Sequence, residues 1–144
     1  MYQERYPVLW IGQVAVVTLP DEIDVTIADT VQEELLAVVD TGAALLIADM
    51  SKTTFCDSAG VSALVRAFRR ATAGGSSMRL VISTPAVRRV LSITGVDRLV
   101  DTFPSVAASL AGRSDLPGQP GERGARGQGR PDTAPAGADT DSGA

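Results

Sequence analysis

Apolar residues recur along the first 112 positions in two periods, one of two residues and one near 3.6. Each change of period marks a new element. VLWI (8–11) and VAVVTL (14–19) are rich in β-branched residues, flank Gly12-Gln13 and predict a β-hairpin. Asp24 or Thr26 can then cap a helix, and Thr26 with Asp29 resembles a capping box. Ile27, Val31, Leu35 and Val38 follow at helical spacing, with Glu33, Glu34 and Asp40 mostly off that face and Gly42 as a stop. ALLIADM (44–50) is almost continuously apolar, which predicts a central strand covered on both faces. SKTTFC (51–56) reads as a polar connection carrying one aromatic. Asp57 then caps a helix whose apolar stripe is Val61, Leu64, Val65 and Phe68, ended by Gly74-Gly75. MRLVIS (78–83) predicts another strand, and Thr84-Pro85 the start of a third helix with Val87, Val90 and Leu91 inward and Gly95 at its end. RLVDTF (98–103) predicts a short edge strand, and Pro104 opens a last helix. Helices that separate strands in this way define an α/β layered domain.

The character of the chain changes after Gly112. Residues 113–144 hold one large apolar side chain, Leu116, among Gly, Pro, Ala and charged residues. Such a segment buries too little apolar surface to offset its ordering entropy, so a domain over 1–112 and a disordered tail over 113–144 are expected. Glycines at 118, 121, 124 and 127 mimic a collagen period, but four triplets do not make a triple helix.

Charge and residue usage remove several functions. The 144 residues include 13 basic and 17 acidic ones, a net charge of −4, which is not the footprint of a nucleic-acid binder. The tail contributes −1, from four Arg against five acidic residues, so residues 1–112 carry −3. The longest apolar run, AALLIA (43–48), falls far short of the roughly 20 residues of a membrane helix. MYQERYPVLW does not read as a signal peptide, so a soluble, cytoplasmic protein without membrane contacts is expected. There is no histidine, which excludes Ser-His-Asp and Cys-His centres. The single lysine, Lys52, lies in no Gly-Lys-Ser/Thr sequence, which excludes a P-loop. With one cysteine, Cys56, no internal disulfide forms.

The segment DSAGVSAL (57–64) carries the sharpest functional question. Ser58 falls in the first turn of a helix, where free N–H groups and the positive end of the helix dipole tolerate added negative charge. Three roles fit: a capping pair with Asp57, a residue that another protein phosphorylates, or a nucleophile. The residues alone favour the cap, because caps are common. They disfavour the nucleophile, because no histidine is present and an exposed Asp is a weak base for an alcohol. Gly60 would let another chain's backbone approach and leave Ser58 uncrowded. Asp24, Asp49 and Asp57 would converge on a Mg²⁺ site if the strands around them were parallel, although caps and turn hydrogen bonds are the plainer reading. Cys56 reads as a small buried hydrophobe, Phe55 as a core plug with part of its ring facing a partner, and Trp10 as core or strand packing. Arg66, Arg69, Arg70, Arg88 and Arg89 read as solvated helix faces.

DMSKTTFCDSAGVSALV (49–65) resembles the central motif of STAS domains, specifically of bacterial anti-sigma factor antagonists. LPDEID (19–24) is similar to the family's strand-end segment, with Asp21 where the family has glycine, and STPAVRRVLSITGV (83–96) to a later one. The resemblance covers roughly residues 6–111. It implies a mixed central sheet of about five strands with about four helices packed mainly on one side. With no histidine and no evident activated nucleophile in the chain, no enzyme activity, no cofactor and no metal are expected. The resemblance further implies partner switching. The unphosphorylated protein binds an anti-sigma factor that is also a serine kinase and so frees a sigma factor; phosphorylation ends the binding, and a serine phosphatase reverses it. The family's phosphorylated serine falls on Ser58, and the partner-binding surface on Asp24, Thr54, Phe55, Asp57, Ser58, Ala59, Gly60 and Ser62. Two alternatives stay open: a phosphorylation-independent scaffold, and a small-molecule or nucleotide-binding regulatory module.

Overall fold

A computed structural model describes residues 5–112 of the chain. The predicted hairpin forms from β1 (Val8–Ile11) and β2 (Val14–Thr18), with Gly12 at φ +60° in its two-residue turn. That left-handed conformation is what a tight hairpin between right-twisted strands requires. After a two-residue strand β3 (Glu22–Ile23) comes α1 (Ala28–Asp40), then β4 (Leu45–Met50), a second two-residue strand β5 (Phe55–Cys56) and α2 (Ser58–Ala73). The chain continues through β6 (Ser77–Ile82), α3 (Pro85–Thr94), α4 (Val96–Leu99), β7 (Asp101–Phe103) and α5 (Val106–Leu110).

The main sheet has the order β1-β2-β4-β6-β7, antiparallel only at β1–β2, so β4 is central as its apolar run predicts. Alternation along the strands sends Ala15, Val17, Leu46, Ala48, Met50, Met78, Leu80 and Ile82 to one face. There they pack with Val31, Leu35 and Val38 of α1, Leu64 and Ala67 of α2, and Val87 and Leu91 of α3. The other face buries a smaller cluster of Val16, Ile47 and Val81, covered by Val106 of α5. Arg79 of β6 ties that short helix down: its guanidinium donates to the Ser109 carbonyl at 2.6 Å and lies 5.4 Å over the Phe103 ring. The result is a five-stranded mixed sheet with its long helices on one side. Five helices form rather than about four, because residues 96–99, expected in part as strand, make the extra turn α4.

Local expectations fare unevenly. Pro85 opens α3 and Gly95, at φ +85°, closes it. The capping box at Thr26 does not form: α1 starts after Ile27 with no side-chain cap, and Asp24 instead closes a turn with the backbone N–H and hydroxyl of Thr26. Ser105, not Pro104, caps α5 by accepting from the Ala108 N–H at 3.1 Å. Glu34, expected off the buried face, is 3% exposed and accepts the Arg5 N–H at 2.8 Å. Trp10 is 39% exposed on the edge strand. Among the described residues no helix is long and apolar enough to cross a membrane. The expectations for 113–144 fall outside the described residues.

Leu46 is fully buried at the centre of the sheet. Leu46→Ala is expected to lower stability by about 3 kcal/mol, because the surrounding strands and helices collapse only partly into the space it leaves. Chemical denaturation with an unchanged m-value measures it.

Candidate functional site

The loops that leave the C-terminal ends of β2 and β4 are polar, and their backbone groups need partners. They find them in each other. β3 and β5 pair in parallel, Glu22 opposite Phe55 and Ile23 opposite Cys56. The Thr53 hydroxyl donates to the Pro20 carbonyl at 2.8 Å, the Thr54 N–H to the Asp21 carbonyl at 2.7 Å, and the Asp57 N–H to the Ile23 carbonyl at 3.1 Å. The end of SKTTFC, Phe55–Cys56, is therefore half of a small second sheet, and the residues before it are tied to the neighbouring loop rather than forming a free connection.

Asp57 joins this sheet to α2. Its backbone is extended, at φ −95° and ψ −174°, as suits an N-cap. One carboxylate oxygen accepts the Gly60 N–H at 3.0 Å, and the other accepts the Val25 N–H at 3.2 Å, in the turn before α1. A single side chain thus caps one helix and pins the entry to another. Gly60 explains the closeness. A Cβ there would stand 2.7 Å from Cys56 Sγ, 2.8 Å from Ile23 Cγ2 and 3.0 Å from the Ile23 carbonyl. This corrects the expectation that Gly60 admits another chain: it is buried, and the backbone that comes close is this chain's own.

Ser58 is the first residue of α2 and is exposed. Its hydroxyl makes no hydrogen bond to another described residue, because Asp57 already does the capping. Around it the surface mixes apolar and polar groups. Val25 is 72% exposed and Phe55 49%, so Phe55 is not a core plug. Thr54 and Ser62 are exposed, and Ala59 and Asp24 half-buried. The hydrogen bonds from Thr26 hold the Asp24 carboxyl below its ordinary pKa, so it is an anion at neutral pH. Val25 was not anticipated as a surface feature. The signal was present, since it stands between Asp24 and Thr26 and off the stripe of α1.

The three acids do not converge. Asp49 shares its face of β4 with Ile47, away from the long helices, and its carboxylate accepts the Ser51 N–H at 3.0 Å. Among the described residues no group of three or more His, Cys, Asp or Glu is arranged to hold a metal. Cys56 is buried as expected; burial first, then the charge of Asp57, pushes its thiol up to about 11. Arg66, Arg69, Arg70, Arg88 and Arg89 lie exposed on the surfaces of α2 and α3, Arg70 in an exposed pair with Asp40 at 2.9 Å and Arg66 donating to Gln32 at 3.3 Å.

With this geometry in place, comparison with known proteins identifies the class. The family model for the STAS domain matches residues 7–109, and the chain belongs to that family. Among solved structures, an anti-sigma factor antagonist from Mycobacterium paratuberculosis is 26% identical with a TM-score of 0.68, over 74% of this chain and 90% of that one. The anti-sigma factor antagonist SpoIIAA of Bacillus is solved in unphosphorylated and phosphorylated forms. Its phosphorylated form is 19% identical with a TM-score of 0.58, over 75% of this chain and 99% of that one. A sulfate transporter family protein from Wolinella succinogenes also shares the fold, at 18% identity and a TM-score of 0.60, over 72% of this chain and 86% of that one. No curated protein sequence matches.

The division of labour between Asp57 and Ser58 is testable by stability alone. Asp57→Ala is expected to cost about 2 kcal/mol, as a lost cap with a second bond to Val25, and Gly60→Ala about 1–3 kcal/mol through overpacking. Ser58→Ala is expected to stay within about 0.5 kcal/mol of the parent, all three read by urea denaturation. The Cys56 thiol is expected to react with an aromatic disulfide at pH 8 roughly a hundredfold or more slowly in the native than in the denatured protein, because little thiolate is present. Since the fold favours the protonated thiol, its contribution to stability is complete below the ordinary thiol range. It is lost as the pH rises toward about 11.

Proposed function

We propose that this STAS domain is an anti-sigma factor antagonist whose switch is Ser58. Unmodified, it binds an anti-sigma factor that is also a serine kinase and thereby frees a sigma factor. The kinase phosphorylates Ser58 and ends the binding, and a serine phosphatase restores it. The observation that carries this reading is that Ser58 is exposed and structurally unemployed, its obvious role as a cap having been taken by Asp57.

The physics of the switch follows from the surface. Val25 and Phe55 offer apolar anchors beside a small hydroxyl, the kind of centre that interfaces bury. A neutral serine is buried there at little cost. A phosphate brings about −1.5 to −2 charge, and the free N–H groups at the start of α2 accommodate it without unfolding the domain. At an interface the same phosphate must be desolvated beside Asp24 and Asp57. Like-charge juxtaposition costs several kcal/mol, and each 1.4 kcal/mol is tenfold in affinity. A loss of a hundredfold or more is expected without any large change of shape.

The rival readings have less support. A cavity of about 140 Å³, lined by residues that include Ile82, Arg88, Leu91 and Asp97, is below the roughly 300 Å³ at which ligand pockets begin. It includes none of the acidic edge residues that a nucleotide module would use. A scaffold that does not switch leaves an exposed, unbonded serine at a helix start without a task. As a binding protein, the chain needs no activated nucleophile.

The test uses protein purified from its own cells, with phosphate mapped by mass spectrometry and partners recovered by pull-down. Phosphate on Ser58, with a kinase-like anti-sigma factor retained only by the unmodified form, is the expected result. Ser58→Ala is expected to bind that partner constitutively and Ser58→Asp to bind it at least tenfold more weakly. Equal binding by both variants would discard the switch and leave the scaffold.

A further inference from the structure

Ile82 and Phe103 are the last residues of β6 and β7, two parallel strands that pair side by side. The cavity of about 140 Å³ opens at their ends and is walled also by residues of α3 and α4. Open α/β sheets place their ligands at such carboxyl ends. The space is too small for a nucleotide. A cavity of about 150 Å³ nevertheless takes a molecule the size of benzene, so an occupant of a few heavy atoms fits.

The walls divide by chemistry. Ile82, Leu91 and Phe103 are buried apolar residues and form one part. Arg88, Asp97 and Thr102 bring polar groups to the rest. Oδ1 of Asp97 is buried and has no hydrogen-bond partner among the described residues. A buried acceptor left in that state is costly, and more so when it carries charge. Arg88 donates one N–H to the Ile82 carbonyl at 3.2 Å, and its guanidinium fork holds further donors. The two opposite charges line one cavity without pairing with each other, since the one ion pair among the described residues is that of Arg70 with Asp40, between α2 and α1.

We propose that this cavity binds a small zwitterion, an α-amino acid with a short aliphatic side chain. The two charges select it. An anion held by Arg88 leaves Asp97 Oδ1 without a donor and sets a second negative charge near it. A cation held by Asp97 meets the guanidinium in the same way. Water supplies a donor to Asp97 but leaves the apolar wall uncovered. A molecule that carries an ammonium beside a carboxylate satisfies both groups, the ammonium donating to Asp97 and the carboxylate accepting from Arg88, each as a charge-assisted bond. Its side chain covers Leu91 and Phe103. None of these residues belongs to the surface around Ser58, so the inference stands independently of the proposed switch.

NMR titration of the full, isotope-labelled chain with L-alanine and L-valine, each to about 50 mM, tests it. The expected result is a saturable shift of the Asp97 and Thr102 amide signals, with dissociation constants in the millimolar range. Propionate and ethylamine, which are alanine without its ammonium or without its carboxylate, are expected to bind roughly tenfold more weakly or worse. The same loss is expected for alanine with an Asp97→Asn variant that melts as the parent does. The analogues need no variant, so they decide the matter even where Asp97→Asn fails to fold. No saturable shift with either amino acid overturns the proposal and leaves a hydrated cavity. Propionate or ethylamine binding as well as alanine, unchanged binding by Asp97→Asn, or shifts confined to residues outside the cavity overturn it equally.

Discussion

The pairing of two polar loops is the contact on which the site depends. Where β2 and β4 end, their chains leave the sheet with unsatisfied backbone groups, and each supplies the other's partners from Pro20 to Val25 and from Thr53 to Asp57. The small sheet that results sets α2 so close to Ile23 and Cys56 that position 60 has no room for a side chain. It also brings the Asp57 carboxylate to both helix entries at once. Without this pairing the start of α2 would be an ordinary helix end on a free loop. With it, the first turn is a tied-down platform that presents Ser58 beside Phe55 and Val25.

That platform separates structural work from exposure. Asp57 is charged, and its two oxygens are both committed to backbone donors; Ser58, beside it, is committed to nothing within the described residues. A hydroxyl in that state can gain or lose a phosphate with little consequence for the fold, since the helix N-terminus that holds the extra charge is capped by another residue. On the proposed reading, the energy of the switch lies in the contact with the partner and not in a rearrangement of the domain.

The two faces of the sheet are covered unequally, and this gives the molecule surfaces of different kinds. Three helices of ten or more residues seal one face; a five-residue helix, tethered by Arg79, covers part of the other. The uncovered part runs out to the β1 edge. On the proposed reading, the polar and apolar mixture around Ser58 suits a partner that is released when charge is added.

Much of the fold was legible in the sequence because it depends on local periodicity. The hairpin at Gly12-Gln13, the central place of Leu45–Met50, the stripes of α1 to α3 and the stop at Gly95 all follow from which residues are apolar and where glycine and proline stand. The resemblance of residues 49–65 to STAS domains pointed to the family and to Ser58. What the sequence could not decide were relations between segments some 30 residues apart. The β3–β5 pair was invisible because two-residue strands have no period. Gly60 was misread because whether a glycine faces another molecule or its own chain depends on what lies opposite. Asp57 was recognisable as a cap but not as the clamp on Val25, and Asp24 and Asp49 were separated only once the strands had assigned them to different surroundings. Local sequence determined the elements; tertiary packing decided which polar groups met, because a hydrogen bond across 30 residues is settled by where the sheet sets its ends.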